Sequence, residues 1–92
     1  MDIIDELEQL IQDRKANPRS GSYTCALFDK GLDEIAKKLG EEAVEVVVAA
    51  TRQSDQRVAE ESADLIYHLL VLLAQRDVPW SAVKAELEKR RK

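Results

Sequence analysis

Apolar residues recur along this chain at the three- and four-residue spacing of amphipathic helices. Two long segments carry this period, one from about Leu32 to Arg52 and one from about Gln56 to Arg76, and Gln53-Ser54-Asp55 forms the turn between them. Three shorter helices are predicted at 2–15, 24–30 and 79–89. No stretch alternates as a strand would. We therefore predict an all-α fold, an antiparallel helix hairpin with short flanking helices.

Polar and small residues mark where these helices begin. Residues 17–22 read as a loop, and Ser22 or Thr24 is expected to cap the short second helix. Ser54 or Asp55 is expected to cap the second long helix, and Pro79 suits the first turn of the last one. On the first helix, Glu8 is expected on the exposed side, away from its apolar stripe.

Both long helices contain a stretch that is apolar on nearly every side. Residues 43–50 are interrupted only by Glu45, and residues 65–74 only by His68. Such helices are buried on several sides, and one short chain has too few other helices to cover them. We therefore expect a homodimer whose core is of the four-helix-bundle type.

Composition narrows the class of protein. The chain has 92 residues, enough for one domain (1–92), and a formal net charge of −4, which argues against binding nucleic acid or an anionic membrane surface. The longest apolar run, from Leu69 to Ala74, is far shorter than the roughly 20 residues of a membrane span. Cys25 is the only cysteine, so no disulfide forms within the chain and a cytoplasmic location is expected.

Four acidic residues occupy matched positions on the two long helices. Glu42 and Glu45 share one face of the first, and Glu61 and Asp64 share one face of the second. Glu45 and Glu61 each lie eight residues from Gln53, and Glu42 and Asp64 each lie eleven residues from it. An antiparallel hairpin therefore places the two pairs level with each other. Glu41 flanks the group.

Like charges this close would repel one another, and some would have to take up protons. A hard divalent cation removes the conflict, and carboxylate oxygens with water are the ligands that Mg²⁺ prefers. The alternative is a solvated acidic face, which fits poorly because apolar residues surround these acids. We predict a metal site formed by Glu42, Glu45, Glu61 and Asp64.

The pattern of these residues resembles the all-α nucleoside triphosphate pyrophosphatases of the MazG-like superfamily, whose signature is E-E-x-x-E followed by E-x-x-D. Within that superfamily, the chain is most similar to the phosphoribosyl-ATP pyrophosphatase family of histidine biosynthesis. The resemblance rests on Ser22-Tyr23-Thr24, Leu27, Gly31, Ile35, Lys38, residues 40–45, residues 64–68 and Val71-Leu72-Leu73.

This resemblance implies Mg²⁺-dependent hydrolysis of phosphoribosyl-ATP to phosphoribosyl-AMP and pyrophosphate, the second step of the histidine pathway, in the cytoplasm. In the family pattern the metal ligands fall on Glu42, Glu45, Glu61 and Asp64, with Glu41 beside them. Some relatives are fused to the cyclohydrolase of the next step, and we expect this chain to be the stand-alone form.

Other residues are candidates for contacts with the substrate or the metal ligands. Glu41 or Glu61 is a candidate general base, and Lys38 either reaches a phosphate or pairs with a glutamate. Arg19 and Lys30 are further candidates for binding phosphate, while Tyr23 either stacks on a base or packs. His68 follows Asp64 by one helical turn, where it either orients a metal ligand or is a satisfied core histidine.

Two other functions stay open from the sequence. One is a house-cleaning pyrophosphatase acting on a deoxynucleotide such as dCTP or dUTP, with the same metal site and a different base pocket. The other is a non-catalytic helical dimerisation module whose acidic residues only keep it in solution.

Overall fold

A computed structural model describes residues 2–91, and within that range the chain is helical with no strand. The helices are α1 (Ile3–Ala16), α2 (Tyr23–Lys30), α3 (Leu32–Arg52), α4 (Asp55–Gln75) and α5 (Trp80–Arg90). The all-α prediction is confirmed. The long helices α3 and α4 form the hairpin, and α1 and α2 pack on it.

Serine side chains begin two of these helices. The hydroxyl of Ser22 accepts a hydrogen bond from Cys25 N at 3.2 Å and begins α2. Ser54 accepts one from Arg57 N at 3.3 Å and begins α4. Thr24 and Asp55, the alternative caps, lie inside their helices. Each serine satisfies a backbone donor that the first helical turn leaves unpaired.

Two details of the sequence interpretation are wrong. Pro79 lies one residue before α5, with an extended backbone, so it precedes the first helical turn instead of forming part of it. Glu8 is only partly exposed, because its carboxylate accepts a hydrogen bond from the backbone N–H of Trp80 at 2.6 Å.

A single glycine joins α2 to α3. Gly31 has φ of 92°, a conformation that residues with a Cβ rarely adopt, and its N–H donates to Leu27 O at 3.3 Å. This abrupt turn lets the short α2 end and the long α3 begin without a connecting loop. The first turn of α2 is thereby brought alongside α4, next to the acidic residues of the hairpin.

The apolar core lies where α1 and α2 cover the hairpin. Its buried members are Ile11, Leu27, Ile35, Leu70, Val71 and Ala74, and Phe28, Tyr67 and Trp80 are among the residues packed around them. The opposite face of the hairpin is left uncovered in the protomer. Among residues 2–91, no helix is long and apolar enough to cross a membrane.

Candidate metal centre

Three carboxylates meet between the two helices of the hairpin. Glu42 of α3 and Glu61 and Asp64 of α4 each offer one oxygen, and these oxygens lie within 4.8 Å of one another. Glu42 and Glu61 are buried, with 8% and 7% of their surface exposed, whereas Asp64 is open to solvent. The centre is thus enclosed by the hairpin and accessible at one edge.

The hairpin brings together three of the four residues predicted as ligands. Glu61 and Asp64 share a face of α4, and Glu42 meets them from α3. Glu45 is exposed and lies outside this group of three, as does Glu41. Both are next to the centre along the chain, and their roles remain predictions.

Two cations partly neutralise the cluster. Lys38 Nζ lies 3.3 Å from Glu42 Oε1, and the hydrogen bond between them raises the pKa of Lys38. The guanidinium of Arg57 pairs with Glu61 and with the exposed Glu60. Its hydrogen bond to Glu60 lowers the pKa of Glu60. Within residues 2–91, no lysine or arginine pairs with Asp64.

The donor set fits a hard divalent cation. Every candidate ligand atom is a carboxylate oxygen, and no thiol or imidazole belongs to the group. Three carboxylates face two cations, one of which is shared with Glu60, so negative charge remains for a metal to neutralise.

Arg57 is the charged neighbour that the sequence interpretation missed. It lies four residues before Glu61 on α4, a spacing that places both side chains on one face. This spacing could have indicated the pairing from the sequence alone. Lys38 lies far from the turn of the hairpin, and Arg57 lies close to that turn. The two cations therefore contact the cluster from opposite directions along the hairpin.

A set of hydrogen-bonded aromatic and hydroxyl side chains lies next to Asp64. The hydroxyl of Tyr23 lies 2.8 Å from His68 Nε2, and His68 Nδ1 lies 2.7 Å from the backbone oxygen of Asp64. The hydroxyl of Thr24 is hydrogen-bonded to that of Tyr67. His68 is thus a satisfied buried histidine, as one of the two sequence alternatives has it. Its contact with Asp64 is to the backbone oxygen, and a role in orienting the carboxylate stays a prediction.

Tyr23 lies at the edge of the centre with about half of its surface (52%) exposed. Burial raises the pKa of its hydroxyl, Lys38 opposes the rise, and Glu42 and Asp64 add to it. The hydroxyl is therefore protonated at neutral pH and available as a donor. Through His68, the Tyr23 hydroxyl is also linked by hydrogen bonds to the backbone of Asp64.

Arg19 and Lys30 are the remaining candidate cations. Arg19 is exposed and, with Tyr23 and Ser20-Gly21-Ser22, lines a surface cavity of about 480 Å³. Lys30 is exposed at the last residue of α2, about 10 Å from Tyr23 along the helix axis. Arg19 thus shares a cavity with Tyr23, Lys38 pairs with Glu42, and Lys30 lies at the far end of α2 from Tyr23.

The chain is similar over nearly its whole length to known proteins of one family. Residues 4–91 match the model of the phosphoribosyl-ATP pyrophosphohydrolase family. The chain is 53% identical over 90 residues to a phosphoribosyl-ATP pyrophosphatase of Lactiplantibacillus plantarum, covering 98% of this chain and 85% of the relative. It is 44% identical over 93 residues to one from Methanocella arvoryzae, covering 99% and 98%. A Listeria monocytogenes protein of the same name is 54% identical over 88 residues, covering 96% and 84%. Matches of this extent and identity leave one assignment: the chain belongs to the phosphoribosyl-ATP pyrophosphohydrolase family.

Proposed function

We propose that this chain catalyses the Mg²⁺-dependent hydrolysis of phosphoribosyl-ATP to phosphoribosyl-AMP and pyrophosphate, the second step of histidine biosynthesis. The observation that carries the proposal is the match of residues 4–91 to the family, together with the cluster of Glu42, Glu61 and Asp64. The substrate and product would be phosphorylated metabolites, which agrees with the cytoplasmic location expected from the sequence.

Mg²⁺ would be held by Glu42, Glu61 and Asp64, with Glu45 as the fourth ligand. The oxygen-only donor set and the incomplete charge balance of the cluster support this choice. When bound, the metal would neutralise phosphate charge, orient the leaving group and lower the pKa of a bound water.

At the α-phosphorus, the reaction would form one P–O bond and break one, and a proton would be transferred. A water oxygen attacks the α-phosphorus, the bond from that phosphorus to the bridging oxygen breaks, and pyrophosphate leaves. The proton of the attacking water passes to a carboxylate, for which Glu41 and Glu61 are the candidates. Glu61 belongs to the cluster and is paired with Arg57, whereas Glu41 is exposed beside it.

The substrate would lie between Lys38 of the hairpin and Tyr23 of α2. Lys38 is next to Glu42 and would contact a phosphate, and Tyr23 would contact the base. Arg19 lines the adjoining cavity and would bind a further phosphate, with Lys30 as a more distant cation.

A second copy of the chain would cover the outer face of the hairpin. Val44 and Val47 of α3 are 60% and 61% exposed, and Val48 and Ile66 are also exposed. Large apolar side chains gathered on one face favour an interface. Glu45 lies one helical turn from Val48, so the same partner would reduce its exposure. We therefore propose a homodimer.

Pyrophosphate release from several substrates tests this function. With Mg²⁺, the chain should act on phosphoribosyl-ATP and leave ATP, dCTP and dUTP nearly untouched, and an excess of EDTA should abolish turnover. Faster hydrolysis of dCTP or dUTP would replace the proposal with the house-cleaning activity. No hydrolysis of any of them would indicate a dimerisation module, and full turnover in EDTA would refute the metal.

A further inference from the structure

Two consecutive residues of α2 are hydrogen-bonded to two consecutive residues of α4. Tyr23 is bonded to His68 and Thr24 to Tyr67. Thr24 and His68 are buried, with 7% and 5% of their surface exposed, and their side chains are satisfied by these contacts. The two bonds thus attach the first turn of α2 to the hairpin within one turn of Asp64.

The chemistry of the partners sets the direction of each bond around His68. The backbone oxygen of Asp64 can only accept, so Nδ1 of His68 carries the hydrogen and donates it. In the neutral ring Nε2 is then an acceptor, and the hydroxyl of Tyr23 donates to it. His68 therefore has the Nδ1–H tautomer. The hydroxyl of Tyr23, the only polar group of that side chain, is used in the hydrogen bond to His68.

The hydrogen bond to His68 holds the ring of Tyr23 in one orientation. The ring of Tyr23 lies 6.4 Å from that of Tyr67, with 28° between their planes, and meets the ring of His68 nearly edge-on at 83°. About half of Tyr23 (52%) nevertheless remains exposed. An aromatic ring that is already ordered loses little conformational freedom when a flat ligand stacks on it.

The ring of Tyr23 lies where the base of a bound nucleotide could stack on it. The hydroxyl of Tyr23 is linked through His68 to the backbone of Asp64, a member of the carboxylate cluster where the phosphates of a substrate would lie. A ring that is exposed beside a phosphate-handling centre suits stacking on a base, because every base presents a π-face. We propose that His68 is a positioning residue whose hydrogen bond fixes the ring of Tyr23 to stack on the purine base of the substrate. The inference rests on the proposed function.

The bond itself is testable without any enzyme assay. His68 is the only histidine of the chain, so the imidazole ¹⁵N spectrum of untagged protein in mildly alkaline buffer contains a single ring. We expect the Nδ1–H tautomer, and a change in the Nε2 shift when Tyr23→Phe removes the donor. The opposite tautomer, or an Nε2 shift unaffected by Tyr23→Phe, would overturn the proposal.

Kinetics on phosphoribosyl-ATP then separate positioning from simple structural support. Tyr23→Phe and His68→Phe should each raise KM about five-fold, the effect of one net hydrogen bond, with kcat within about two-fold of wild type. The double variant should be no worse than either single one, since both lose the same bond. His68→Gln, which retains an acceptor, should restore part of the loss. Tyr23→Ala, which removes the ring, should raise KM about ten-fold or more.

Tyr67→Phe is the matched control, because it removes the neighbouring buried bond and leaves the Tyr23 hydroxyl in place. It should lower the melting temperature as much as His68→Phe does while KM stays near wild type. An equal rise of KM in Tyr67→Phe, or an unchanged KM in Tyr23→Ala, would refute base positioning. If wild type fails to hydrolyse phosphoribosyl-ATP, the proposed function fails while the spectrum still reports whether the bond exists.

Discussion

The carboxylate of Glu8 and the backbone of Trp80 are joined across 72 positions of the chain. Trp80 N donates to Glu8 Oε2 at 2.6 Å, where α5 begins. Pro79 has no side-chain group that could cap this helix, so a residue of α1 supplies the acceptor instead. A carboxylate at a helix N-terminus also complements the helix dipole. The contact attaches α5, which has no buried residue of its own, to the rest of the protein.

Replacing Glu8 with alanine should therefore destabilise the fold by about 1 kcal/mol, the typical cost of losing a helix cap. For a chain of this size the melting temperature should fall by about 4–8 °C. Gln9→Ala, on the exposed side of the same helix, should change it little. Calorimetry at a fixed protein concentration would decide, and equal behaviour of the two variants would contradict the capping role.

Asp64→Asn tests whether the cluster binds metal. Within the described residues, Asp64 is the cluster member without a paired cation, so removing its charge should relieve repulsion and raise the melting temperature of metal-free protein. The same change removes a ligand and should weaken Mg²⁺ binding. Mg²⁺ at 100 times its Kd stabilises a protein by about 2.7 kcal/mol, and the variant should lose most of that gain. Activity should fall by orders of magnitude.

Asp29→Asn provides the control for this experiment, because Asp29 is an exposed residue of α2 outside the cluster. Melting curves with and without Mg²⁺ should match those of wild type. Glu45→Gln extends the test to the exposed fourth candidate. If Asp64→Asn responded to Mg²⁺ as wild type does, the cluster would not be a metal site that uses Asp64.

Val47→Asp should separate the proposed dimer. Val47 is 61% exposed in the protomer, and an unpaired carboxylate buried by a partner at this position would be costly. Sedimentation should show the wild type as a dimer at micromolar concentration and the variant as a monomer. Leu87→Asp, an equivalent change at a 56% exposed leucine of α5, should remain a dimer. A stable, compact wild-type monomer would remove the basis for the interface.

Tyr23 should influence stability at alkaline pH. Burial raises its pKa above the ordinary value of 10.0, so the unfolded chain releases this proton before the folded protein does. Its contribution to stability is complete below pH 10 and is lost as the pH rises through the folded pKa. Urea unfolding should show that the free energy of unfolding falls more steeply with pH across this range in wild type than in Tyr23→Phe. Parallel declines would show that Tyr23 contributes nothing.

The two long helices and their turn could be predicted because the information is local. The apolar period sets the limits of α3 at Leu32 and Arg52, and a serine before α4 marks its first turn. Once the turn is known, the equal distances of Glu42 and Asp64 from Gln53 predict that they approach each other. Periodicity and spacing along the chain therefore predicted the hairpin and the meeting of three of the four acids.

Which acids are enclosed was decided by the tertiary structure. Glu42 and Glu45 share a helix face by spacing, yet Glu42 is 8% exposed and Glu45 is open to solvent. Contacts between distant segments, such as Tyr23 with His68 and Glu8 with Trp80, leave no periodic signal in the sequence. Periodicity reports which residues share a side of one helix. The sides that become covered depend on how α1 and α2 pack against the hairpin, and that packing is a property of the whole chain.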